Sequence, residues 1–302
     1  KRANTPMRGE RDQAFCDACA RAKVTSEPKA SHRTVQSVAK QLREHASLWE
    51  HASYDVAGMF RTPAINGGGN YEFHAVCHAT NTRYVAGFTV MGELYDVMET
   101  FLCMANAARA ESEEQRAIDL LVETPEGHRD QKTWGMMKSD FHLMHRSKRM
   151  AKIMQRHQMR RVLVAPEMHH RIGKVERGMR TLHEAANAVM TAANLPPKYR
   201  LEAVKAVMRC ADYLPTKANP ESYSPRAMRR VLAGVVDPTK VHEQMIPAIP
   251  FGVPAYAKHF RAGKEKPRGA GAAVHVGFDE DTRTHKLCYD RVPGYKTNFL
   301  QR

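Results

Sequence analysis

Acidic side chains are scarce in this chain of 302 residues, where 32 Asp and Glu stand against 47 Lys and Arg for a formal charge of +15. The deficit favours a polyanionic partner, of which nucleic acid is the natural candidate; a basic protein that is merely soluble is the plainer alternative. Long apolar runs are missing too. No stretch approaches the roughly 18 to 20 apolar residues of a membrane span, and the opening Lys1–Pro6 has no apolar signal core. These absences argue against a membrane partner and for an intracellular protein. Of the six cysteines, at 16, 19, 77, 103, 210 and 288, just two stand close together, which argues against a disulfide framework. The first residue is not Met and the opening has the character of mid-sequence, so the chain reads as a piece of a longer polyprotein.

The length accommodates a core of roughly 130 to 200 residues with small modules on either side. Residues 24–50 form a connector that turns helical, with Val35, Val38, Leu42 and Leu48 on one side and Thr34 as N-cap. Strand-like runs follow at Ala52–Met59, Tyr71–His78 and Arg83–Met91, with Asn66–Asn70 as a hairpin turn between the first two. A long helical pattern then covers Glu93–Val122, broken near Ala110. A short strand leads to Asp140, and a helix over Arg146–His157 precedes a strand at Arg161–Val164. Next, Ile172, Val175, Met179 and Leu182 mark a helical face; two further helices follow Pro197 and Ser224. After Pro238, short strand-like runs at 251–256, 272–278 and 285–289 suggest a small β-barrel-like module. The expected units are 1–50, 51–236 and 237–302.

Three acids stand out from the solubilising charges. Asp55 lies in the first strand, Asp140 at the end of a later one, and Glu176 on the helical face, thirty-five residues beyond Asp140. Strand acids and a helix acid can meet at one point, and three convergent carboxylates ionise together cheaply only around a hard cation. Phosphoryl transfer on DNA needs an activated oxygen nucleophile, a stabilised leaving oxygen and a neutralised phosphorus, which two Mg²⁺ ions about 3.5 to 4 Å apart supply. On that hypothesis Asp55 bridges both ions, Asp140 completes one site and Glu176 the other, with Mn²⁺ as substitute. For each acid taken singly, a surface salt bridge is the default reading.

Basic residues surround these acids. Between Lys138 and Arg161 there are eight Lys or Arg, among them Arg146, Lys148, Arg149 and Lys152, and one acid, Asp140. Lys174 and Arg177 flank Glu176, while Arg180 and His183 share its helical face and are candidates for DNA contact. A solvated charged face is the alternative. His169 and His170 read as loop polar residues. Lys258, Arg261, Lys264, Lys266 and Arg268 form a basic loop that either grips DNA or is simply exposed. Cys16 and Cys19 form a C-x-x-C that supplies two of the four ligands of a zinc ion. Residues 1–15 contain no His, so either the other ligands lie upstream, or His32 substitutes, or the pair is two reduced thiols.

The order of Cys16-Asp-Ala-Cys19, Asp55-Val-Ala-Gly58, Gly67-Gly-Gly69, Lys138-Ser-Asp140, Gly173-Lys-Val-Glu176-Arg177, Asn194-Leu-Pro-Pro197 and Ala211-Asp-Tyr-Leu-Pro215 resembles a retrotransposon integrase of the copia type, within the retroviral-integrase and transposase superfamily. The resemblance spans nearly the whole chain. It implies an α/β, RNase H-like catalytic core with a mixed five-stranded sheet, flanked by a partial zinc-binding-like N-terminal segment and a small β-rich C-terminal module. It also implies 3′-end processing and strand transfer on element ends and target DNA, a homo-oligomer, and action in the nucleus. The flanks depart from the family. Phe141-His-Leu-Met-His145 stands where Asn and small residues are usual, and Met59 where Pro is common. A catalytically inactive, nucleic-acid-binding descendant is therefore the alternative reading.

Overall fold

The computed structural model describes residues 48–65, 68–123, 135–140, 143–165, 172–232, 249–258, 270–279 and 284–288. Cys16, Cys19, His32, His169, His170, the connector before residue 48 and the basic loop at 261–268 lie outside them. The first sheet is built from β1 (His51–Ala57), β2 (Tyr71–Cys77), β3 (Arg83–Phe88), β4 (Gly135–Ser139) and β5 (Met159–Leu163). Their spatial order is β3-β2-β1-β4-β5. The first three pair antiparallel, and β4 and β5 add parallel to β1. This is a mixed α/β architecture, and its strand order agrees with an RNase H-like core.

Helices cover both faces of the sheet. On one face α1 (Leu94–Glu123) packs Leu94, Met98, Phe101 and Leu102 against Tyr54, Phe73 and Met137 in a single buried cluster. Phe101 meets Phe73 at 5.6 Å and Trp49 edge-on at 5.1 Å between centroids. The helix is continuous through the expected break at Ala110, since Ala-Glu-Ser holds neither Pro nor Gly to interrupt the hydrogen-bond ladder. The expected helix Arg146–His157 is instead two, α2 (Leu143–Arg146) and α3 (Lys148–Arg156). Ser147 between them is extended, and its hydroxyl accepts a hydrogen bond from the Met150 N–H at 3.1 Å, the work of an N-cap. Met150, Ile153 and Met154 of α3 join the cluster of α1.

The second face carries α4 (Gly173–Ala192), whose Val175, Leu182 and Ala186 are buried. Leu182 and Ala186 pack with Val85 and with Leu201 and Val204 of α5 (Arg200–Tyr213); Val175 packs with Val76. A last helix, α6 (Pro225–Leu232), starts at Ser224, whose hydroxyl accepts from the Ala227 N–H at 3.0 Å. The link from β1 to β2 is longer than a hairpin turn, with Ala64 bridged to Gly69. Gly69 has φ +68°, and a Cβ there would fall 2.1 Å from the Phe88 carbonyl oxygen, so no other residue fits.

Strands β6 (Pro254–Lys258), β7 (Ala270–Asp279) and β8 (Thr284–Cys288) form a second, antiparallel sheet in the order β6-β7-β8. Val276 and Cys288 are buried in the same cluster as Leu182, Leu201 and Val204, so this sheet packs on α4 and α5. Among the described residues no helix is long and apolar enough to cross a membrane.

Candidate active site

Register places two of the three acids on neighbouring strands. Ser53 of β1 pairs with Lys138 of β4 in a parallel ladder, so Asp55 and Asp140 each stand two residues beyond that pair on adjacent central strands. Tyr54 turns into the α1 cluster, which sends its neighbour Asp55 to the α4 face. Glu176 lies in the first turn of α4, where the helix dipole favours a negative charge. All three are half-buried. Burial pushes the Asp55 carboxyl up, to about 6; the Val56 N–H bonded to it at 2.8 Å opposes the shift, while the charges of Asp140 and Glu176 add to it. Asp140 is held on its other side by His145, whose Nδ1 lies 2.5 Å from Oδ1. His145 is buried edge-on to the Tyr54 ring at 4.9 Å, and Arg161 donates to the carbonyls of His145 and Ser147 at 2.7 and 3.0 Å.

A second cluster shares this face. Glu72 and His74, two apart on β2, are both buried. His183 of α4 reaches Glu72 Oε2 at 2.8 Å, His74 reaches the same oxygen at 3.2 Å, and Arg200 Nε donates to Oε1 at 2.7 Å. Burial alone would raise the Glu72 carboxyl. The hydrogen bonds from His183, His74 and Arg200 outweigh it and hold the group far below the usual carboxylate range. Burial pushes His74 down, against the pull of Glu72. Among the described residues, Glu72, His74 and His183 are the one set of three or more metal-ligand side chains whose donor atoms all lie within 4.8 Å of one another. Asp55, Asp140 and Glu176 are more widely spread than that.

The basic candidates divide between the two faces. Arg177 and Arg180 are exposed on α4. Lys174, half-buried, donates from Nζ to the carbonyls of His78 and Cys77 at 3.0 and 3.4 Å and ties the start of α4 to the end of β2. His183, expected to face DNA, is engaged by Glu72. Arg146 is exposed beside His145. Lys148, Arg149 and Lys152 are exposed on α3, the helix that packs beneath the opposite face of the sheet. There Arg149 stacks 4.4 Å over the Tyr95 ring and meets Asp96 at 3.4 Å.

Sequence reasoning missed Glu72, His74, His145 and Arg200. The strand reading of Tyr71–His78 rested on its alternating Tyr, Phe, Ala and Cys and gave Glu72 and His74 no role. A usable signal was present: a central strand of a sheet with helical patterns enough to cover both faces buries its polar alternate residues too, and these need partners.

The sheet order is that of a mixed α/β protein and is consistent with an RNase H-like core. No protein-family model matches the chain, and no curated protein matches it. Among solved structures, one similar chain comes from the simian T-cell lymphotropic virus intasome in complex with PP2A regulatory subunit B56 gamma. It is 11% identical over 83% of this chain and 75% of its own, at a TM-score of 0.37.

Proposed function

We propose that the chain is the core of a retrotransposon integrase, a polynucleotidyl transferase whose Asp55, Asp140 and Glu176 hold Mg²⁺ or Mn²⁺ and act on DNA. The observation that carries the reading is the parallel register that sets Asp55 and Asp140 on neighbouring strands, with Glu176 in the first turn of α4 near enough to add, with Asp140, to the upward shift of Asp55. An all-oxygen donor set suits a hard dication, and the three carboxylates, whose oxygens are more widely spread than 4.8 Å, would draw together around it. When bound, two such ions activate the attacking oxygen, stabilise the leaving 3′-oxygen and neutralise the phosphorus.

In this reading Asp55 would serve both ions, Asp140 one and Glu176 the other. His145 orients Asp140 from a buried seat, as partners of metal-binding carboxylates do. Arg177 and Arg180, exposed on the helix of Glu176, take phosphates of the entering strand. The partners are then element ends and target DNA, with a second copy of the chain to complete a homo-oligomer.

The test is strand transfer of a short DNA with a free 3′-hydroxyl in Mg²⁺ or Mn²⁺, comparing this chain with Glu176→Gln. Activity lost in the variant supports the reading. Equal activity in both overturns it. One observation favours a second reading: the Asp140 carboxylate is already engaged by His145, as in a core that retains the fold and binds DNA without chemistry. Salt-dependent DNA binding with no strand transfer in either protein would select it.

A further inference from the structure

The Glu72 cluster is separate from the three acids and takes no part in the reaction proposed for them. We propose that Glu72, His74 and His183 form a transition-metal site that takes Zn²⁺ through one carboxylate oxygen and two imidazole nitrogens. The proposal does not rest on the integrase reading.

Spacing is the first argument. Ligand atoms at about 2.0 to 2.1 Å from a tetrahedral zinc lie roughly 3.3 Å apart. Glu72 Oε2 lies 2.8 Å from His183 Nε2 and 3.2 Å from His74 Nε2. An ion that replaces the two N–H protons therefore needs small displacements of side chains that already converge. Two of the ligands stand at i and i+2 on β2, which fixes them to one face, and α4 supplies the third.

Donor chemistry is the second. Imidazole nitrogen suits zinc, copper, nickel and iron, whereas Mg²⁺ prefers oxygen and keeps its waters. Arg200 adds to the selection. Its guanidinium holds Glu72 Oε1 at 2.7 Å and so directs Oε2 toward the imidazoles, as outer partners orient metal carboxylates. Its positive charge also works against any cation, which leaves nitrogen ligation to decide and disfavours Mg²⁺ further. The approach is from the side of His183, which is 25% exposed where Glu72 and His74 are 1% and 3%. The Phe60 ring stands edge-on to His183, 6.0 Å between centroids, and carries the Arg200 guanidinium 3.3 Å over its face.

The experiment is a Co²⁺ titration of the full chain carrying Cys16→Ser and Cys19→Ser, so that the C-x-x-C contributes no metal. Excess Mg²⁺ is present to fill carboxylate-only sites. Expected are the intense visible bands of low-coordinate Co²⁺ at one equivalent, their bleaching by Zn²⁺, and loss of both in His183→Gln. His183→Cys, which offers a thiolate in the same place, should keep the metal and add a sulfur-to-cobalt charge-transfer band. A folded protein that shows no such bands overturns the proposal. So does an unchanged spectrum in His183→Gln, or the absence of the new band in a folded His183→Cys protein.

Discussion

Asp55 and His74 are direct partners across the antiparallel pair β1–β2, so their side chains stand on the same face of the sheet, about 4.5 to 5.5 Å apart at Cβ. That single pairing makes neighbours of two clusters with opposite chemistry. On one side lie three carboxylates, with His145 against Asp140, and on the other a carboxylate with two imidazoles and a guanidinium around it. Helix α4 spans both. Glu176 sits over the first and His183, seven residues or two turns further on, over the second.

Asp55 should cost stability at neutral pH. Its carboxyl is raised from 3.8 to about 6 in the folded protein, chiefly by burial. The folded state then holds the proton more tightly than the unfolded one, so this contribution to stability is complete below about pH 4 and is lost as pH rises through 6. Asp55→Asn, neutral at all these pH values, is expected to melt higher than the parent at pH 8 in EDTA and to flatten the fall between pH 4 and 7. Thermal melts across that range check it. An Asn variant that melts lower than the parent at pH 8 would remove the argument that these acids are held under strain for a ligand.

Glu72 should behave in the opposite sense. Its folded carboxyl is depressed by His183, His74 and Arg200, so its contribution is present above the ordinary carboxylate value and is lost as pH falls below it. Glu72→Ala strands Arg200 and two histidines in the interior, and breaking a buried charged network from one side costs about 3 to 5 kcal/mol. Urea denaturation at pH 7 measures this. A loss under about 1 kcal/mol would mean that Glu72 does not tie α4 and α5 to the sheet.

The strands were legible because β2 sets Tyr, Phe, Ala and Cys at alternate positions, and Phe73, Ala75 and Cys77 are buried in one cluster. Asp140 was legible as a strand end, and Glu176 as a helix acid, from the change of period around them. What could not be read is which residues stand opposite which. Glu72, His74 and Arg200 are 128 residues apart at their extremes, and nothing in the local sequence of α5 announces that Arg200 will meet a buried carboxylate on β2. Ser147 was a different kind of miss. It was the second residue of the expected helix Arg146–His157, and its preference for capping moved the helix start past it to Lys148.

That preference can be tested in isolation. Ser147→Ala removes the acceptor for the Met150 N–H without touching the buried Met150 or Ile153. A lost N-cap costs about 1 kcal/mol. Ser147→Asp keeps the acceptor and adds a charge favourable to a helix N-terminus, so it is expected to match or exceed the parent. Denaturant midpoints for the three proteins should fall in the order Ala, Ser, Asp.

The two basic groups should separate in DNA binding. Arg177 and Arg180 are exposed on the helix that carries Glu176, whereas Lys148, Arg149 and Lys152 are exposed on α3 beneath the other face of the sheet. If DNA enters over the acids, each α4 arginine that neutralises a phosphate contributes about 0.9 to the slope of log affinity against log salt on duplex DNA. The double variant Arg177→Ala, Arg180→Ala is therefore expected to lower that slope by nearly 2. Arg149→Ala is expected to leave it nearly unchanged, since its guanidinium is already shared between the Tyr95 ring and Asp96. Both substitutions alter exposed side chains, so stability should move by no more than about 0.5 kcal/mol and the slopes can be compared directly. A slope that drops for α3 and not for α4 would put the DNA on the opposite face of the sheet from Asp55, Asp140 and Glu176, and the three acids could then not reach a phosphate.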